Sequence, residues 1–168
     1  ALDKIMPREK TTVICGDILS LHFHQIHQRP LRVVGNLPYY ITSPILWHLI
    51  GQLAHIDDMV FMVQFEVAQR AAAQPGSSHY GRLSVVLQYY CTVVHEMRIG
   101  PGAFTPPPKV DSALLLLQPR VVTLPCVNTQ IFEQCVAKAF SQRRKMLRQG
   151  FSGQIKPDVW DVLGIDPS

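Results

Sequence analysis

The 168-residue chain is 47% hydrophobic and 17% charged, enough apolar material for a sizeable core and too apolar for a disordered segment. Its longest apolar runs, such as Met59 to Val63 and Ala113 to Leu117, are far too short to span a bilayer, and no signal peptide is visible at the start; a soluble cytoplasmic protein without a membrane partner is expected. A net charge of +4 and a pI near 9.0 admit a nucleic-acid partner without requiring one. Cys15, Cys91, Cys126 and Cys135 are widely spaced and contain no C-x-x-C pair, so reduced thiols are expected rather than a zinc or disulfide framework.

In chain order, Thr11 to Cys15 is a short β-rich run ending at Gly16-Asp17, and Leu31 to Gly35 is a second; both read as buried parallel strands. Ser43 can cap a helix with Pro44 at its first position, and Ile45, Leu46, Leu49, Ile50 and Leu53 supply its apolar face. Met59 to Val63 reads as the next strand, followed by an Ala-rich helix from Glu66 that stops before Pro75-Gly76. This β-α-β-α rhythm argues for a doubly wound sheet. Leu83 to Tyr90 has helical spacing, and Thr92 to Ile99 and Ser112 to Gln118 read as strands. The proline-rich segment 100–109 between them is stiff and extended, so these two strands should form an antiparallel pair at the sheet edge.

Around Pro119 to Pro125 the pattern changes and only helical signals follow, which places a boundary between residues 1–120 and 121–168. Asn128 can cap a helix whose face is Ile131, Phe132, Cys135, Val136, Ala139 and Phe140. Trp160, Leu163 and Ile165 belong to a further short helix ending near Gly164. The densest positive charge, Arg143, Arg144, Lys145 and Arg148, suits RNA phosphates, with a solvated helix face as the structural alternative.

The chemistry concentrates at Gly35-Asn36-Leu37-Pro38-Tyr39, where a strand passes into an Asn-x-Pro turn at the end at which open α/β sheets bind ligands. An adenine exocyclic amine is a poor nucleophile because its lone pair is delocalised into the ring. An Asn side-chain oxygen and a nearby backbone carbonyl can accept both amine hydrogens and favour a tetrahedral nitrogen with its lone pair free to attack a methyl group. Tyr39 can lie against the base or the positively charged methyl donor.

With further blocks, the chain resembles the ribosomal RNA adenine dimethyltransferase family, the enzymes that dimethylate adjacent adenosines near the end of small-subunit rRNA. Those blocks are Met62-Val63-Gln64-Phe65-Glu66-Val67-Ala68, Tyr80-Gly81-Arg82-Leu83-Ser84, Phe104-x-Pro-Pro-Pro-Lys109-Val110-Asp111-Ser112 and Phe140-Ser141-Gln142-Arg143-Arg144-Lys145. The resemblance implies an incomplete Rossmann-like α/β methyltransferase sheet, parallel strands plus a reversed edge hairpin, followed by a small all-α RNA-binding domain. It implies S-adenosyl-L-methionine as methyl donor, and small-subunit rRNA and the precursor of the small ribosomal subunit as partners of a monomer.

By the same resemblance Asn36, Leu37, Pro38 and Tyr39 hold the target adenine, Phe104 stacks on it from the other side, and Asp17 and Ile18, with Asn36, meet the donor. Phe104 plugging the core and Asp17 capping a turn are the structural alternatives. The family's acidic glycine-rich donor loop belongs upstream of Ala1 and its last helix beyond Ser168, so a fragment is expected. Phe65 stands where the family's Gln-Lys-Glu-Val-Ala segment carries Lys.

His22-x-His24-x-x-His27 reads as a solvated loop rather than a metal site, and Glu66 and Arg70, one helical turn apart, as a surface pair. A non-catalytic RNA-binding ribosome-assembly factor of the same fold fits the same blocks, although the intact Asn-Leu-Pro-Tyr turn and Phe104 favour catalysis.

Overall fold

A computed structural model describes residues 11–122, 125–142 and 145–166. Among these residues four strands form one mixed sheet in the order β1-β2-β4-β3: β1 (Leu31–Asn36), β2 (Ile56–Gln64), β3 (Cys91–Ile99) and β4 (Ser112–Pro119). β1 runs parallel to β2, with Asn36 opposite Met62, while β4 lies antiparallel to both β2 and β3. The parallel pair is joined through helix α1 (Thr42–Ile50), and α2 (Phe65–Ala72) and α3 (Arg82–Tyr90) lead from β2 to the edge hairpin. The sheet therefore has the expected Rossmann-like character, with the reversed hairpin at one edge.

Alternation along the strands divides the sheet into two faces. Met59, Phe61 and Val63 of β2 and Ala113, Leu115 and Leu117 of β4 are buried in the main core, where they meet Ile45, Leu46 and Leu49 of α1, Ala68 and Ala71 of α2, and Leu83 and Leu87 of α3. On the opposite face Val34 is 70% exposed and Val94 42%, and the bidentate Arg32–Asp58 ion pair, both contacts 2.7 Å, lies along it. That pair holds the Asp58 carboxyl below the usual carboxylate range, chiefly through the hydrogen bond from Arg32.

Three local expectations are corrected. Thr11 to Cys15 forms no strand among the described residues: Val13 and Ile14 are exposed, and no described strand pairs with the run. β-branched residues favour extension, but a strand is stabilised only by a neighbouring ladder and a covered face. Helix α1 starts at Thr42 rather than after a Ser43 cap; the Thr42 hydroxyl donates to the Pro38 carbonyl at 3.1 Å, and Leu53 lies in a separate 3-10 turn. Pro44 still falls in the first turn, where a missing N–H costs nothing. The ion pairs formed among the described residues are Arg32–Asp58 and Arg98–Asp111; Glu66 and Arg70 make none, as expected of an exposed pair worth only tenths of a kcal/mol.

The Tyr80-Gly81-Arg82-Leu83-Ser84 block is a packing device. The fully buried Ser84 hydroxyl donates to the Arg70 carbonyl at 2.6 Å and accepts the Gly81 N–H at 3.1 Å, stitching α3 to α2. Gln88 adds amide donations to the carbonyls of Ala71 and Ala73. Arg82 stacks over Trp47 at 4.7 Å and so ties α3 to α1.

Beyond β4 only helices follow among the described residues: α4 (Thr129–Ala139), α5 (Leu147–Gly150) and α6 (Pro157–Leu163). Asn128 caps α4 as expected, accepting the Ile131 N–H at 3.0 Å. The buried stripe of α4 is narrower than its apolar pattern: Phe132 packs on Tyr89 with ring centroids 4.4 Å apart and Val136 is buried, whereas Ile131 and Cys135 face solvent. Phe151 and Trp160 meet edge to face beneath α6, which ends at Gly164 with a φ of 63°, a left-handed conformation that suits glycine.

Ser84→Ala strands the Arg70 carbonyl and the Gly81 N–H, and is expected to lower stability by about 1–3 kcal/mol, read as a lower urea midpoint at unchanged slope. Burial pushes the Cys91 thiol up to about 11. In the native protein at pH 8 Cys91 is expected to resist a thiol reagent that modifies the exposed Cys15 and Cys135. Because the folded-state value is raised, its contribution to stability is complete below the ordinary thiol value and is lost as the pH climbs through about 11, which a denaturation series from pH 8 to 11 would register.

Candidate active site

The turn after β1 is shaped by a close approach. A Cβ on Gly35 would lie 3.3 Å from Leu37 Cδ2 and 3.6 Å from the Phe61 ring, so the glycine lets the Leu37 side chain fold back into the core, where it is buried. The Leu37 N–H donates to the Met62 carbonyl at 3.0 Å and extends the β1–β2 ladder one step past the strand. Asn36, between the two, is exposed at the strand's carboxyl end. Pro38 then directs the chain into a 3-10 turn, Tyr39–Ile41, that runs straight into α1.

Tyr39 is held from across the sheet: its hydroxyl is 2.7 Å from Oγ of Ser112, a fully buried residue 73 positions later at the start of β4. The Phe65 N–H donates to the Asp111 carbonyl at 2.9 Å and fixes the same end of β4 to the start of α2. The stiff segment before β4 carries Phe104, half-exposed and outside the core cluster, to the same place. Asn36, Leu37, Pro38, Tyr39, Phe104, Pro106 and Pro108 together line one cavity of about 320 Å³.

This cavity offers two rings, proline surfaces and a neutral amide, and no ionisable acid or base beyond the Tyr39 phenol. It suits a flat, neutral, amine-bearing ring better than a charged substrate. Ser112 and Pro106 are the contributors that motif reading did not single out, although both stand inside the Phe104 to Ser112 block.

Asp17 and Ile18 do not line this cavity. Asp17 Oδ1 accepts the Leu19 N–H at 2.9 Å and caps the 3-10 turn Ile18–Ser20, so the turn-capping role is realised in the structure. That turn packs against α1, and Ile18 reaches the core. The His22–His27 segment is docked rather than merely solvated: Phe23 is buried and its N–H donates to Gln52 Oε1 at 2.7 Å. Among the described residues no group of His, Cys, Asp and Glu is arranged to hold a metal ion.

Lys145 and Arg148 are exposed on the C-terminal helical segment, while Arg143 and Arg144 lie outside the described residues. Arg148 lines a separate open cleft with Lys156, Trp160 and Asp161. No helix among the described residues is long and apolar enough to cross a membrane.

The family model described as Ribosomal RNA adenine dimethylase matches residues 2–166. The chain belongs to this family. Similar curated proteins include the ribosomal RNA small subunit methyltransferase A of Pseudomonas putida, 46% identical over 156 residues, covering 91% of this chain and 58% of the relative. The protein of the same name from Klebsiella pneumoniae is 42% identical over 163 residues, covering 95% of this chain and 60% of the relative. The chain thus spans about three fifths of the length of the curated relatives it matches. Among solved structures, a dimethyladenosine transferase from Plasmodium falciparum superposes with a TM-score of 0.66 at 31% identity, covering 79% of this chain and 47% of that one. The 23S rRNA methyltransferase ErmE, at 22% identity and a TM-score of 0.67 over 90% of this chain and 62% of its own, shares the fold.

The Tyr39–Ser112 bond predicts a specific coupling at this cavity. Tyr39→Phe and Ser112→Ala each leave a buried or half-buried hydroxyl unpaired or missing, and each is expected to cost about 1 kcal/mol or more. The double variant should cost less than the sum, and a double-mutant cycle in urea measures the difference.

Proposed function

We propose that this chain supplies the acceptor side of an S-adenosyl-L-methionine-dependent rRNA adenine N6-dimethyltransferase. It acts on adjacent adenosines near the 3′ end of small-subunit rRNA, during ribosome biogenesis and in the cytoplasm. The observation that carries the reading is the convergence of Asn36, Pro38, Tyr39 and Phe104 on one cavity at the carboxyl end of β1.

A flipped adenine enters between the Tyr39 and Phe104 rings, and its amine meets the Asn36 side-chain oxygen. The Pro38 carbonyl already accepts from Thr42 Oγ1 and from the Ile41 N–H, so the Leu37 carbonyl beside it takes the second amine hydrogen. Both hydrogens held out of the ring plane turn the nitrogen towards sp³ and free its lone pair. Tyr39, tethered to Ser112, loses little freedom when the base arrives.

The donor supplies an electrophilic methyl group. The residues of this chain fit only its adenine end: Asp17 has an exposed carboxylate whose Oδ1 alone serves the cap, and Ile18 adds an apolar contact beside α1. No G-x-G-x-x-G run occurs in the sequence to hold the rest of such a donor. Residues 121–168 form the RNA-binding part, in which Arg143, Arg144, Lys145 and Arg148 meet phosphates.

In the intact protein that carries this chain, Asn36→Ala is expected to lower methyl transfer to a small-subunit rRNA substrate by at least a hundredfold while RNA affinity changes less than threefold. Single-turnover incorporation of labelled methyl groups, set beside filter binding, checks this; unchanged turnover would refute the assignment of Asn36.

A further inference from the structure

A second cavity, of about 310 Å³, opens at the carboxyl end of β2, next to the one at β1. It is lined by Gln64, Phe65, Glu66 and Gln69 from the start of α2 and by Lys109 and Asp111 from the segment entering β4. Asn36 pairs with Met62, and Gln64 lies two residues further along β2, so standard strand geometry puts the two sites on the order of 8 Å apart. Pro108 lines one cavity and Lys109 the other, so the two share a wall.

The character of this cavity depends on Phe65, half-buried at the start of α2. Arg98 lies over the Phe65 ring at 4.7 Å and His95 meets it edge to face at 6.0 Å. Arg98 is brought there by a bulge at Met97: Glu96 pairs with Leu114 but Arg98 pairs with Ala113, so Arg98 and His95 share the face that looks on α2. Phe65 lines the cavity, whereas Arg98 does not. Arg98 also forks onto Asp111, its Nε donating at 2.8 Å, which neutralises that carboxylate.

What remains for a ligand is an apolar ring, two side-chain amides, one acceptor-only carboxylate and, at the exposed rim, the Lys109 ammonium. That combination suits a nucleobase with an exocyclic amine and a phosphate beside it, and suits an isolated anion poorly. We propose that this cavity receives the unpaired base adjoining the target adenine, with Phe65 as its stacking surface, Gln64, Gln69 and Glu66 on its edge and Lys109 on the linking phosphate. The proposal rests on the acceptor reading of the Asn36 cavity.

The test uses the intact protein and short single-stranded RNAs in which 2-aminopurine replaces the target adenine for binding, or adenine is kept for methylation. The neighbour on the 5′ or the 3′ side is an adenosine, a uridine or an abasic residue. One abasic neighbour is expected to weaken binding about tenfold and uridine there less, whereas the opposite side matters little. Gln69→Ala and Phe65→Leu should each reduce that discrimination to about twofold or less; Gln69→Ala removes only a half-exposed amide and so stands if Phe65→Leu misfolds. Equal discrimination in variant and parent protein, or none in the parent, overturns the flanking site. Discrimination in binding with no methylation of these RNAs or of small-subunit rRNA would instead overturn the enzymatic reading and leave the flanking site in place.

Discussion

Strand β2 is bonded on both sides, parallel to β1 and antiparallel to β4, and its register governs the placement of every group at the candidate site. Asn36 stands opposite Met62, and Ser112 opposite Gln64, because hydrophobic rows on β2 and β4 must all reach the same core. A slip of one residue would turn Phe61 and Leu115 to the exposed face and their neighbours inward. The core therefore enforces a register that also sets Tyr39 within hydrogen-bonding reach of Ser112, at the end of the sheet where Phe104 lines the same cavity. Packing energy in the sheet and precision at its carboxyl end have the same origin.

The site is built with no buried charge of its own. An amide at the tip of a strand, rings braced by prolines and by a cross-sheet hydroxyl contact, and carbonyls partly committed to the next helix can orient an amine without competing for its proton. The two ion pairs formed among the described residues lie elsewhere, Arg32–Asp58 on the opposite face and Arg98–Asp111 beside Phe65, where their charges link neighbouring segments of the sheet.

Much of this could be read from the sequence because the information is local. The apolar runs at Leu31, Met59 and Ser112, the Asn128 cap, Gly164 and the Asn-x-Pro turn each act within a few residues. The run at Thr11 misled because its strand signal depends on a neighbour that local sequence cannot supply. Ser43 before Pro44 has the local signature of a cap, but α1 begins one residue earlier, where the Thr42 hydroxyl bonds back into the turn after β1. The Tyr39–Ser112 bond spans 73 residues, and the Arg98–Phe65 stack depends on a bulge, so neither leaves a periodic trace. Ile131 and Cys135 have the composition of a buried face and lie just outside the stripe of Phe132, which packs on Tyr89 of α3, and the buried Val136.

The Met97 bulge has a second effect, on what the outer edge of the sheet can join. β3 is the terminal strand on its side, and a flat terminal strand offers its free N–H and C=O groups to any other extended chain. At Met97 the backbone turns to a positive φ of 31°, unusual for a side chain of this kind, and the pairing repeat is interrupted among His95, Glu96 and Arg98, all exposed. An incoming strand would meet a kink flanked by polar and charged side chains in place of a continuous ladder. The irregularity that turns Arg98 towards Phe65 thus also blunts the sheet against edge-to-edge aggregation.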